Sequence, residues 1–355
     1  MDLPVNPPVR PMLAKAVPAV PDQPPGETAW SYEPKWDGFR ALIFRDGDDV
    51  VMSSRSGKDL ARYFPEVVDA ALAALPHRVV LDGEVAVAAP LGGVARLDWD
   101  ALSARIHPAA SRIELLSVQT PAMFIGFDAL ALGSADLTGE PFAVRRQALL
   151  DATGAASDPR IRVSRVTRDD ATARAWFTDF EGAGLDGVVA KRLDGRYAPG
   201  RREMVKVKHK RTADCVIMGY RIHKSGSGLG SMLLGLHSAD GELRMVGGSS
   251  AFSDAARTEL QERLEALRPE GGAVAQGEVN RWRSAASAEW IPVRPELVAE
   301  FAYDQMESGR FRHTVKFLRW RPDRDPDDCG FDQLEVPLTC DVFDVLMGST
   351  GDADG

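Results

Sequence analysis

The sequence predicts an α+β protein in two parts, antiparallel sheets with helices followed by a small β-barrel. Strand-length apolar runs alternate with amphipathic stretches up to about residue 210. Around Lys210-Arg211-Thr212-Ala213 the texture changes to short strands separated by Gly-rich turns. The 355 residues are 44% apolar, ample for buried cores. The expected divisions are an arm over 1–26, a first domain over 27–210, a barrel over 211–345 and a flexible tail over 346–355.

Residues 1–26 hold eight prolines and no apolar periodicity, so an extended arm is expected, mobile except where Arg10-Pro11-Met12-Leu13-Ala14 docks. Strands begin near Trp30. Ala41–Arg45 and Val50–Ser53 flank Asp46-Gly47-Asp48-Asp49, a hairpin signal. Phe64–Leu75 reads as an amphipathic helix stopped by Pro76. Val79–Leu81 and Val85–Val87 read as strands on either side of Asp82-Gly83-Glu84, and Met123–Phe127 as a buried strand. Val144–Thr153 and Asp170–Gly182 have helical texture, and Gly187–Lys191 is again strand-like. Beyond residue 210, Cys215–Tyr220, Met232–Leu236, Leu243–Val246 and Val298–Tyr303 are strands and Asp254–Leu267 is the one helix. Several short strands with a single helix suit a Greek-key barrel of the OB type. The polar Gly348–Gly355 reads as disordered.

No stretch approaches the ~20 apolar residues of a bilayer-spanning helix, and Met1–Asn6 lacks the regions of a signal peptide. A soluble, cytoplasmic protein with no membrane partner is expected. Cys215, Cys329 and Cys340 form no pair at metal-ligand spacing, and the six histidines are scattered. Any metal is then expected to be a hard, oxygen-bound ion. The net charge of −9 conceals a local excess: Lys191 to Lys224 holds eleven Lys or Arg against three acids. Arg310, Arg312, Lys316, Arg319, Arg321 and Arg324 form a second basic cluster. Such stretches are either a solvated charged face or the electrostatic footprint of a polyanionic partner.

The residues able to do chemistry centre on Lys35, in Tyr32-Glu33-Pro34-Lys35-Trp36-Asp37-Gly38-Phe39-Arg40. A free lysine titrates at about 10.4 and is no nucleophile at neutral pH. Burial or neighbouring cations can strip its proton, and Lys206 and Lys208 supply cations. In Val205-Lys206-Val207-Lys208 the period of two puts both ammonium groups on one strand face, with the valines packed behind. Asp82-Gly83-Glu84 offers acids for a ribose hydroxyl or a metal, Asp186 offers a carboxylate at a strand entrance, and Phe127 offers a ring to a base.

Taken in order, Lys35–Arg40, Ser54-Arg55-Ser56-Gly57, Asp82-Gly83-Glu84, Phe124–Asp128, Asp186–Lys191, Lys206-Val207-Lys208 and Arg319–Arg324 resemble the motifs of the covalent nucleotidyltransferases, the polynucleotide ligases and mRNA capping enzymes. The resemblance runs from Arg10 to Asp325. Arg10–Ala14, Gly230–Leu236 and Phe311–Arg319 are similar to bacterial ATP-dependent DNA ligases of the short two-domain C type. It implies a nucleotidyltransferase (adenylation) domain followed by an OB-fold domain. It also implies Lys35 as the lysine-AMP, Glu33 near adenine, Phe127 stacked on it, and Arg40 and Glu84 by the ribose. Arg55 would meet a phosphate of the nucleotide or the nick 5′-phosphate, and Arg202, Lys206 and Lys208 would approach the phosphates. Asp186, with Glu84, would hold Mg²⁺ or Mn²⁺. Arg319, Arg321 and Arg324 would orient the pyrophosphate. Asp186 and Arg324 stand where the family usually has glutamate and lysine.

The resemblance implies ATP as substrate, adenylate transfer from Lys35 to a nick 5′-phosphate, and sealing by the 3′-hydroxyl, with Asp37 placed to position that hydroxyl or a metal. The basic stretch, with Arg55, Lys191, Lys210 and Arg211, would hold duplex DNA through its backbone. NAD-dependent ligases are longer and carry a four-cysteine zinc module, which three cysteines do not provide. A GTP-using capping enzyme or RNA ligase is the alternative, and a non-catalytic OB-fold binder is a further one. A separate N-terminal DNA-clasping domain is not seen. A monomer working in DNA repair is therefore expected to grip nicked DNA weakly and to rely on repair polymerases or end-binding proteins, in association with the nucleoid.

Overall fold

Apolar residues alternate between two faces along Phe39–Asp46, and each face has its own core. Ala41 and Ile43 pack with Phe64, Val67 and Leu81, whereas Leu42 and Phe44 pack with Val80, Leu130 and Met12. A strand buried on both sides needs such a continuous run rather than polar alternation. The computed structural model describes residues 1–347 except 28, 155–157, 227, 272–273, 277–288 and 335–339. Two compact units result: Met1–His209 with Val336–Gly355, and Lys210–Glu335.

The first unit holds two sheets. Seven strands form one, in the order Asp49–Ser54, Phe39–Asp46, Arg78–Leu91, Ala122–Leu132 and Ala135–Asp136, with Val94–Leu97 paired to the third and Ile161–Val163 to the fourth. The first two form the expected hairpin, closed by the pair Asp46↔Asp49. The helix expected over Phe64–Leu75 runs Pro65–Ala74. Asp82-Gly83-Glu84 departs from expectation. It does not separate two strands but lies inside the single strand Arg78–Leu91, paired to Phe39–Asp46 on one side and Ala122–Leu132 on the other. Neighbours on both sides hold the backbone extended through a dipeptide that would otherwise favour a turn.

Leu13–Ala16, Arg202–Lys208, Gly187–Arg192 and Trp30–Pro34 form the second sheet, in that order. The helix Asp170–Asp179 covers it, with Asp169 as N-cap accepting from the Ala171 and Thr172 amides. Its Ala173 and Trp176 pack on Tyr32, Val188 and Val207. The arm also differs from expectation. Leu3, Val5, Met12 and Val20 are buried, and Leu13–Ala16 pairs in parallel with Arg202–Lys208. Prolines exclude helix from the arm, and its scattered apolar residues are enough to cap an open sheet face.

The second unit has its own core around Val216, Leu234, Val246, Phe301 and Leu264. Its strands pair in the order Leu243–Ser249, Leu229–His237, Arg211–Ile222, Val298–Tyr303 and Lys316–Trp320, with Glu289–Pro292 also on Arg211–Ile222. Asp254–Glu265, capped by Ser253, is its helix. After the barrel, a short helix Val342–Met347 packs on the first unit, burying Val342 and Val345 among Leu97, Ala183 and Leu185. Sequence texture had given these positions to the barrel and tail; positions 348–355 of that expected tail lie outside the described residues.

Candidate active site

Lys35 follows directly on the strand Trp30–Pro34, and the antiparallel ladder with Gly187–Arg192 continues past the strand ends. The Lys35 amide donates to the Gly187 carbonyl (2.8 Å) and the Asp186 amide to the Lys35 carbonyl (3.0 Å). Two residues distant in sequence are thus held side by side. Lys35 Nζ lies 2.5 Å from Asp186 Oδ2, and Lys208 Nζ lies 3.0 Å from the same oxygen. Glycine is required twice in this frame. Gly187 has φ +134°, and a Cβ there would fall 2.0 Å from the Val207 carbonyl oxygen. At Gly38 a Cβ would fall 2.2 Å from the Val85 oxygen, so the Asp-Gly step lets the chain cross the central strand closely.

Charge at this point is finely balanced. Burial raises the Asp186 carboxyl, but the Lys35 and Lys208 ammonium groups outweigh it and hold the acid below its ordinary value. Burial, with Lys35 and Lys208 adding to it, lowers the Lys206 ammonium. Lys206 and Lys208 were expected to act on Lys35 as bare cations. Asp186 instead bridges Lys35 and Lys208.

Beside Lys35 opens a cleft of about 460 Å³, walled by Glu33, Trp36, Arg40, Glu84, Phe127 and Val189 and edged by Arg55, Arg202 and Lys206. The register gives Asp82↔Asp128 and then Gly83↔Gly126, so Phe127 is the extra residue of a β-bulge. A bulge re-aims a side chain, and this one delivers a ring to the cleft. Arg40 stands opposite Glu84 but reaches diagonally to Asp82, with Nε to Oδ1 at 2.5 Å and a terminal nitrogen to Oδ2 at 2.6 Å. Its guanidinium carbon lies 4.4 Å from the Phe127 ring centre. Burial pushes Glu84 up to about 7 against the pull of Arg40 and Lys35.

Glu33 and Lys191 form a buried pair, 2.8 Å apart, and Lys191 also donates to the Phe127 carbonyl at 2.9 Å. This corrects the expectation for Lys191. With a side chain only 3% exposed it props up the Glu33 and Phe127 wall of the cleft, and a DNA backbone cannot reach it. Glu33 Oε2 is buried with no hydrogen-bond partner among the described residues. Burial raises the Glu33 carboxyl, opposed by Lys191.

Eight of the nine residues given to catalysis and ATP thus line one cleft, Arg202 and Lys206 among them at its edge, while Lys208 and Asp186 meet at Lys35. Among the groups expected on DNA, Arg55 and Lys210 are exposed, whereas Arg211 donates to the Asp304 carbonyl at 2.7 Å. In the barrel, Arg319 is exposed and pairs with Glu300, and Arg321 and Arg324 converge on Asp214. Trp36, Val189 and the arm residues Pro11–Ala16 line the cleft without having been singled out for it. Trp36 sits inside the lysine motif and donates its indole N–H to Ser164 at 2.8 Å. The arm gave only the hint that Arg10–Ala14 docks.

Comparison with known proteins shows the family. Residues 11–208 match the ATP dependent DNA ligase domain, and residues 225–324 the ATP dependent DNA ligase C terminal region. The chain is 61% identical to DNA ligase C1 of Mycolicibacterium smegmatis, over 98% of this chain and 99% of the relative. It is 50% identical to DNA ligase C of Mycobacterium tuberculosis, again over 98% and 99%. A solved structure from work on Lig E DNA ligases shares the fold at 17% identity, with a TM-score of 0.54 over 87% of this chain and 99% of that one. The architecture is therefore an adenylation domain followed by an OB-fold domain, and the chain belongs to the ATP-dependent DNA ligase family.

Proposed function

We propose that this ligase seals nicks in duplex DNA through Lys35, with the 460 Å³ cleft as its ATP site. The observation that carries this reading is the junction of Lys35, Asp186 and Lys208 at the rim of a cleft with an aromatic wall and cationic edge. Once relieved of its proton, Lys35 Nζ attacks the α-phosphorus, forming an N–P bond as the bond to pyrophosphate breaks. A DNA 5′-phosphate oxygen then takes the adenylate from Lys35. The 3′-hydroxyl attacks the activated phosphorus, loses its proton and displaces AMP. Each hard condensation is split by the covalent intermediate.

Specific residues support the roles. Glu33 Oε2, an unpartnered buried acceptor, suits the 6-amino group of adenine and not the 6-oxo group of guanine, which favours ATP over GTP. Phe127 offers a stacking face, and Arg40 and Glu84 lie where a ribose would follow. Arg55, Arg202 and Lys206 are assigned to the phosphates, with Lys208 reaching them through its place beside Asp186. Arg319, Arg321 and Arg324 are assigned to the pyrophosphate, on the strength of their charge. Among the described residues no group of three or more His, Cys, Asp or Glu is placed to hold a metal ion. That donor set fits an ion carried largely by phosphate oxygens and water, with Asp186 and Glu84 as protein ligands, as Mg²⁺ or Mn²⁺ prefers. Such an ion would supply charge neutralisation on the phosphates.

A monomer acting in DNA repair at the nucleoid, beside repair polymerases or end-binding proteins, fits the substrate. The deciding experiment incubates the protein with α-labelled ATP or GTP and a divalent ion, then adds nicked DNA. Label from ATP that is absent in Lys35→Ala and discharged as the nick closes is expected. Label from GTP would move the substrate to a capping reaction, and no label from deadenylated protein would reduce the chain to a nucleic-acid binder.

A further inference from the structure

Behind the cleft lies a closed circuit of hydrogen bonds of which the roles above use Arg40 alone. The Tyr197 hydroxyl donates to Asp82 Oδ2 at 2.6 Å, and the Met12 amide donates to the Tyr197 oxygen at 3.0 Å. Asp82, fully buried, receives Arg40 at two points. A terminal nitrogen of Arg40 also reaches the Met12 carbonyl at 3.3 Å. The circuit joins the arm, the lysine-motif strand, the central strand and the loop before Arg202–Lys208. Tyr197 is itself buried, beside Met12, Leu42 and Met204.

The same loop pins the arm. The Leu13 amide donates to the Arg201 carbonyl at 2.7 Å and the Gly200 amide to the Pro11 carbonyl at 3.2 Å. Arg40 carries the circuit into the cleft, with its guanidinium over Phe127. A long side chain held at two carboxylate oxygens and one carbonyl loses its rotamer freedom before the ligand arrives. The Tyr197 hydroxyl adds a third hydrogen bond to the Asp82 carboxylate, on the Oδ2 that also receives Arg40, and so helps to fix its orientation.

We propose that Tyr197 is a positioning residue for the nucleotide: with the Met12 backbone it fixes Asp82 so that Arg40 lies ready against the nucleoside. The proposal rests on the reading of the cleft as the ATP site. Arg40 would hold the nucleoside alike in the ground state and the transition state, so the effect falls on KM and not on kcat.

Self-adenylation with labelled ATP is measured in single turnovers across ATP concentration for wild type, Tyr197→Phe, Arg40→Lys and the double variant. Tyr197→Phe is expected to raise KM for ATP about 5-fold, the scale of one lost hydrogen bond, with the maximal rate within two-fold. Arg40→Lys is expected to raise KM further, and adding Tyr197→Phe to it to change little, because the two act through one contact. Unchanged KM in Tyr197→Phe, or effects that multiply fully in the double variant, would overturn the proposal. A lowered melting temperature with KM intact would overturn it too, since that is what a purely structural tyrosine gives. Failure of the wild type to take label from ATP would instead reject the ATP site itself, and is read separately from the variants.

Discussion

Glu84 shows how a single side chain ties the site to pH. It sits in a fully paired strand opposite Arg40, and burial lifts its carboxyl from 4.5 to about 7. The folded state therefore keeps a proton that the unfolded chain has already lost between those two values, and stability falls as pH rises through that window. Glu84→Gln has no such proton to lose. Its melting temperature should exceed that of wild type at pH 8, with the gap closing towards pH 4. If ionised Glu84 serves the ribose or the ion, wild-type self-adenylation should drop on an acid limb near pH 7. Glu84→Gln should be roughly 10-fold slower at pH 8 and should lose that limb. An unchanged limb in the variant would assign it to another group.

At the scale of elements, the helix Val342–Met347 is the clearest addition to what the sequence disclosed. It places Val342 and Val345 in the cluster that includes Trp36, Phe127 and Leu185, just before Asp186. Ending the chain at residue 339 removes both valines and uncovers that cluster. Area arithmetic puts the loss at roughly 3–6 kcal/mol as an upper bound. Chemical denaturation of the truncated protein should show the first unit weakened, while the barrel, with its separate core, unfolds as before. Equal stability of the two proteins would mean that the helix contributes no packing. The lysine motif was legible because Lys35, the Asp-Gly step and Arg40 are close in sequence. The hairpin after it and the helix Pro65–Ala74 were legible for the same reason: their signals are local. The bulge at Phe127, the straight run through Asp82-Gly83-Glu84 and the burial of Lys191 were not. Each depends on a partner strand or a distant acid, and neither periodicity nor turn propensity reports those. The arm was misread because its prolines resemble a linker, although Leu3, Val5 and Met12 carry enough apolar surface to cover a sheet face.

Charge decides the behaviour of the whole molecule towards its polyanionic substrate. A chain with net charge −9 binds DNA only if its cations are gathered, and eleven of them fall between Lys191 and Lys224. The fold then divides that run. Lys191 is buried against Glu33 and Lys208 holds Asp186, whereas Arg192, in a surface pair with Asp194, and Lys210 stay exposed, as does Arg55 at the rim of the cleft. Affinity for a nicked duplex should therefore fall steeply with salt, each phosphate neutralised adding about 0.9 to the slope of log K against log salt. Titrating wild type, Arg55→Ala, Lys210→Ala and Lys191→Ala from low to high KCl separates exposed cations from buried ones. Arg55→Ala and Lys210→Ala should each flatten the slope by about one unit. Lys191→Ala should leave the slope alone and damage adenylation, because it strips Glu33 of its counter-charge and leaves a buried carboxylate unpaired. A flatter slope in Lys191→Ala with adenylation intact would return that lysine to the DNA surface and undo the division of the basic run argued from its burial.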